Sequence, residues 1–100
     1  MTITTKNENG TYTILPEGWL DTNSSPELGA VVDAVDSADT LVLDFDKVEY
    51  MSSAGLRQVV AAGKRAQAIG AAFAVVNVCP DVMSIFKITG LQKKLDIRAR

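Results

Sequence analysis

The chain has 100 residues, 47% of them apolar, with 12 carboxylates against 10 lysines and arginines and no histidine. That content suits one ordinary domain with a real core and excludes a disordered chain. The net charge of -2, spread along the chain, offers no footprint for nucleic acid, and the missing histidine excludes Ser-His-Asp and Cys-His mechanisms.

Thr2 to Lys6 alternates weakly and is rich in threonine, which predicts a short first strand. The stretch Met1 to Lys6 is too polar for a signal peptide. No apolar run approaches the ~20 residues that cross a bilayer, so a soluble, cytoplasmic chain without membrane insertion is expected. Asn7-Glu8-Asn9-Gly10 predicts a hairpin turn, because Asn-Gly supplies the positive φ angles a tight turn needs. Thr11 to Leu15 reads as the second strand, with Pro16 and Gly18 loosening the pairing near its end. Trp19 follows in a loop-like segment, either packed over one end of the core or exposed to a partner.

Ser24-Ser25-Pro26-Glu27 starts a helix, either through a Ser24–Glu27 capping box or through a Ser25 cap before Pro26. Leu28, Val31, Val32 and Val35 form its apolar stripe, and its end is expected near Asp36 to Asp39. Leu41 to Phe45 predicts a central strand covered on both faces. A long helix runs from Ser53 or Ala54 to about Ile69, ended by Gly70. Its inner face holds Leu56, Val59, Val60, Gly63 and Ala66, with Lys64-Arg65 on the solvent side. Ala71 to Val78 is the next buried strand. Cys79, the lone cysteine, reads as a buried, inert thiol; it makes no intrachain disulfide, which fits a reducing cytoplasm. Pro80-Asp81 opens a third helix with Val82, Ile85 and Phe86 inside and Gly90 at its end. Leu91 to Ile97 gives a last turn and a short strand, with Lys93, Lys94, Arg98 and Arg100 as a solvated edge.

The order β-β-α-β-α-β-α-(β) predicts an α/β fold in a single domain over residues 1–100. Its sheet is mixed and mainly parallel, with four to five strands packed with about three main helices.

Ser52 and Ser53 lie where a strand region hands over to a helix N-terminus. Ligands and partners meet α/β sheets at such strand ends, and a helix N-terminus suits a phosphate. A serine there is a candidate for modification, for capping, or for both; spacing alone favours the cap. Asp44 and Asp46 flank Phe45 as a possible acid–base pair or as solvated strand-end residues. There is no G-x-G-x-x-G and no P-loop, and no cofactor is expected.

Four motifs in order resemble those of the STAS domain, specifically of bacterial anti-sigma-factor antagonists. Gly18-Trp19-Leu20-Asp21 resembles the family's G-x-L-D turn, and Leu41-Val42-Leu43-Asp44 its central strand. Tyr50-Met51-Ser52-Ser53-Ala54-Gly55-Leu56 resembles its S-x-G-L phosphorylation turn. Asn77 to Pro80 and Phe86 to Leu91 resemble its last strand, helix and F-x-x-x-G-L ending. The resemblance covers nearly the whole chain.

It implies a binding module without catalysis of its own. Ser53, two residues before the glycine, would be phosphorylated; Ser52, which stands where many members carry aspartate, offers an alternative hydroxyl and is the second choice. The implied partners are an anti-sigma factor that is itself an ATP-dependent serine kinase, and a metal-dependent serine phosphatase. Unphosphorylated, the module would bind the kinase and free its sigma factor; phosphorylated, it would let go. The implied binding face is Asp21, Thr22, Ser52, Ser53, Ala54, Gly55, Leu56 and Arg57. STAS domains also serve as regulatory subunits of lipid- and anion-transport complexes, the alternative role. A small nucleotide-hydrolysing enzyme using Asp44, Asp46 and Ser53 is the reading least supported.

Overall fold

Asn9 and Gly10 both take positive φ, 52° and 83°, and the chain reverses on them between β1 (Thr2–Glu8) and β2 (Thr11–Leu20). The computed structural model describes all 100 residues. After the hairpin come α1 (Ser25–Asp33), β3 (Thr40–Asp44), β4 (Lys47–Met51), α2 (Ser53–Ala68) and β5 (Ala72–Val78). α3 (Pro80–Thr89), a 3-10 turn (Leu91–Lys93) and β6 (Asp96–Ala99) complete the chain. The strands make one sheet in the order β1-β2-β3-β5-β6, with β4 pairing β2. Only β1–β2 is antiparallel. The fold is thus the mixed, mostly parallel α/β architecture expected, with three helices and six strands rather than four or five.

The extra strand is β4. Its burial runs exposed, buried, exposed, exposed, buried, so the period of two that reveals a half-buried strand is absent. β4 forms because β2 is twice its expected length and changes partner part-way. Thr11 to Ile14 pairs with β3 and Glu17 to Leu20 with β4. Pro16 falls in the gap between these two partners, where the parallel ladder asks for no donor. Gly18, at φ 102°, sits at the register break. Neither residue ends the strand.

The central strand is covered on one face, not two. Leu41 and Leu43 are buried, whereas Thr40, Val42 and Asp44 between them are only partly so. The cause lies in the helices. Leu28 and Val32 of α1, Val59 and Ala62 of α2, and Val82 and Phe86 of α3 all join a single core cluster of 19 residues with the sheet. Each large side chain buried there contributes roughly 1.5–3 kcal/mol.

α1 stops at Asp33, short of the expected end. Arg65 lies beyond that end: its guanidinium donates to the Val35 carbonyl oxygen at 2.8 and 3.1 Å, so this side chain is not simply on the solvent side. In α2 the buried residues are Gly55, Val59, Ala62 and Ala66; Leu56, Val60 and Gly63 are half-buried. The stripe is turned from expectation because α2 packs on α1 as well as on the sheet. In α3, Met83 is buried and Ile85 half-buried. Cys79 is buried, its thiol 3.6 Å from the Val48 carbonyl oxygen. Gly90 ends α3 in the left-handed conformation, as its position requires.

Candidate functional site at the ends of β2 and β4

β2 and β4 run parallel, with Leu20 beside Met51, so their carboxyl ends finish together. The Ser52 N–H donates to the Leu20 carbonyl oxygen at 2.9 Å and ties the turn after β4 to the end of β2. This register brings Asp21 and Thr22 to the same end of the sheet as Ser52 to Arg57.

The turn after β2 is organised by Asp21. Its Oδ1 accepts from the Asn23 and Ser24 N–H groups, each at 3.0 Å. Those donors, led by the Ser24 backbone, hold the Asp21 carboxyl below its ordinary value, with the Ser24 hydroxyl assisting. A depressed pKa means that this contribution is present above the ordinary carboxylate range and is lost as pH falls through the lowered value. The Ser24 Oγ donates to the Trp19 carbonyl oxygen at 2.6 Å and accepts from the Asp21 N–H at 2.9 Å. Neither serine therefore caps α1 with its side chain: Ser24 serves the loop, and the buried Ser25 hydroxyl has no partner. Glu27 pairs instead with the N-terminal amine at 3.3 Å.

The two serines after β4 have different surroundings. Ser52 is the N-cap of α2, extended at φ -85° and ψ 177°, and its Oγ accepts from the Gly55 N–H at 3.4 Å. Ser53 is the first helical residue and is exposed. Ser52→Ala is expected to cost about 0.5–1 kcal/mol, the low end for a lost cap because the bond is long, and Ser53→Ala close to nothing. Urea denaturation of both variants measures the difference.

Gly55 lets the first turn of α2 approach this closely. A Cβ there would lie 2.6 Å from the Leu20 carbonyl oxygen and 2.8 Å from Met51 Cγ. Beside the turn, Trp19 and Tyr50 stack across the two strands, ring centroids 5.4 Å apart and tilted by 50°. They are 62% and 46% exposed, so Trp19 does not pack over the core. Tyr50 is the surface residue that sequence reasoning missed as part of the site. It pairs with Trp19 only through the register of β4, whose pattern carries no strand signal.

The family model of the STAS domain matches residues 2–100. The chain belongs to the STAS domain family. A solved anti-sigma factor antagonist from Mycobacterium paratuberculosis is 27% identical, with a TM-score of 0.89 over 99% of this chain and 86% of that one. The phosphorylated form of the Bacillus cell fate determinant SpoIIAA is 18% identical, with a TM-score of 0.74 over 96% and 90%. A sulfate transporter family protein from Wolinella succinogenes is 12% identical, with a TM-score of 0.81 over 93% and 80%, and shares the fold. No match was found among curated proteins.

Within this STAS domain Asp44 and Asp46 are held in structural contacts. Asp44 Oδ1 accepts from the Asp46 N–H at 3.1 Å and from Asn77 Nδ2 at 3.0 Å. Asp46 engages Arg100 through both its backbone carbonyl and its carboxylate. The two carboxylates are therefore not a free acid–base pair, and no cluster of three His, Cys, Asp or Glu is placed to hold a metal ion. Arg57 is exposed and forms no ion pair.

Proposed function

We propose that this STAS domain is a cytoplasmic anti-sigma-factor antagonist, a binding module without catalysis of its own, switched by phosphorylation of Ser53. The observation that carries the reading is the division between the two hydroxyls. The Ser52 hydroxyl accepts from the helix it caps, while the Ser53 hydroxyl is exposed at the positive end of α2. A kinase reaches Ser53 without undoing the cap. A phosphate adds about -1.5 to -2 charges and three strong acceptors. At a helix N-terminus the folded domain tolerates it, because the dipole and free N–H groups receive it. Inside a packed interface the same group is disruptive through bulk and desolvation. The phosphate is mild for folding and harsh for binding, the asymmetry a partner switch needs. The implied partners are an anti-sigma serine kinase, which meets Asp21, Thr22 and Ser52 to Arg57, and a serine phosphatase.

Incubation with a candidate anti-sigma kinase from the same genome and ATP, followed by peptide mapping, tests the reading. Label on Ser53 that disappears in Ser53→Ala and survives in Ser52→Ala supports it. Label on Ser52 alone would move the switch. The likeness to a sulfate transporter family protein favours a second reading, regulation of a transport complex. No helix here is long and apolar enough to cross a membrane, so the membrane-spanning part would be other sequence. A transporter subunit as the main protein captured from cell extract would favour that role.

A further inference from the structure

The charges on this chain are segregated. Residues 1–50 hold ten carboxylates and two lysines; residues 51–100 hold eight lysines and arginines and two carboxylates. The fold joins the two signs at two side-chain ion pairs, Asp36–Arg65 and Asp46–Arg100. α2 packs on α1 on one side, while its Gly63 lies against Leu95, just before β6, on another. α1 and the α3–β6 edge therefore flank α2.

The α3–β6 edge is the basic side. β6 is an edge strand, paired only to β5. Arg98 and Arg100 are engaged by Asp96 and Asp46, but Lys87, Lys93 and Lys94 are exposed and have no ion partner. Between α3 and β6 lies a shallow notch of ≈ 340 Å³. Val78, Pro80, Met83 and Ala99 give it an apolar lining, and Lys87 adds an unpaired positive charge beside the Asp46-bound Arg100. On the other flank, the outer face of α1 and its C-cap present Glu27, Ala30, Asp33 and Ala34 at helical spacing, all exposed, with Glu27 held by the N-terminal amine and Asp33 unpaired. Asp36, 96% exposed at its side chain, follows just beyond and lies 3.7 Å from the Arg65 guanidinium. Small alanines between carboxylates form a surface that can approach closely and meets lysines on arrival.

We propose that the outer face of α1 in one copy docks in the α3–β6 notch of a second copy, head to tail, in a weak, salt-dependent contact. The occupant is a second copy rather than a polyanion because both complementary surfaces belong to this chain. A nucleic acid or anionic bilayer would also meet the acidic half and a net charge of -2. The contact is heterologous, so it extends into short chains instead of closing as a symmetric dimer. Neither surface includes Trp19, Tyr50 or Ser53, so the proposal stands apart from the function proposed above.

Sedimentation velocity of the purified chain over a concentration series tests it at two ionic strengths. Charges reach about 30 Å at 0.01 M salt and about 3 Å at 1 M. The sedimentation coefficient should rise with concentration at low salt and stay flat at high salt, with self-association at least about tenfold weaker. Lys87→Glu/Lys93→Glu/Lys94→Glu should remove the rise, and so should Asp33→Lys/Asp36→Lys, with circular dichroism showing that each variant folds. Ser53→Asp should leave it unchanged. A concentration-independent monomer at low salt would overturn the proposal, as would association that persists in either charge reversal or disappears in Trp19→Ala.

Discussion

Ser53→Asp is expected to abolish binding to the proposed anti-sigma kinase partner while leaving the melting temperature unchanged or slightly raised. The two effects have opposite signs for one reason: where the charge sits. In the isolated domain residue 53 is exposed at the first position of α2. A carboxylate there lies at the positive end of the helix dipole and contributes about 0.3–1 kcal/mol. In the complex the same carboxylate would be desolvated without a partner. An uncompensated buried charge costs about 3–5 kcal/mol. That corresponds to a loss in affinity of at least about a hundredfold. Ser52→Asp is the informative contrast, because aspartate caps a helix about as well as serine and would lie one residue further from the exposed position. Titration calorimetry against the purified kinase reads affinity, and a thermal melt reads the fold. Undiminished binding by Ser53→Asp would remove Ser53 as the switch. Lost binding with a collapsed melt would mean damage rather than switching.

How much of this was legible in the sequence depended on how local each signal was. Asn9-Gly10 fixed the hairpin, and Gly90 the end of α3, because a positive φ is a property of a few adjacent residues. β4 was not legible. Only Val48 and Met51 of it are buried, and the strand exists because β2 continues past Pro16 and offers it an edge. With β4 hidden, the pairing of Trp19 with Tyr50 was hidden too. The helix start at Ser24 has the form of a capping motif, since serine, proline and glutamate stand at the right spacings. The structure gives those hydrogen bonds to the Asp21 turn, a contest that spacing alone does not decide. The one-sided cover of β3 likewise follows from where three helices pack, not from the apolar run itself. For the serines, sequence marked the junction, and only backbone geometry separated the cap from the exposed hydroxyl.

Gly55→Ala is expected to destabilise the domain by about 1–3 kcal/mol and to weaken partner binding together with it. The sign is the opposite of the usual one. Replacing glycine inside a helix by alanine normally stabilises by roughly 0.5–1 kcal/mol. Here the new methyl would lie 2.6 Å from a backbone carbonyl oxygen, that of Leu20, which cannot swing away as a side chain can. The same oxygen accepts the Ser52 N–H at 2.9 Å, so displacing it loosens the bond that holds the Ser52–Ser53 turn against β2. Stability and site geometry are therefore coupled through one atom. Gly63→Ala in the same helix is the control. Its methyl would meet only side-chain atoms, the nearest Leu95 Cδ2 at 3.4 Å, so the ordinary helical gain should survive. For a domain of this size the Gly55 change corresponds to a melting temperature lower by on the order of 10 °C. Urea denaturation of both variants checks the pair. If Gly55→Ala were as stable as Gly63→Ala, the close approach of α2 to β2 would be wrong, and with it the reason the Ser53 hydroxyl stands where a partner can meet it.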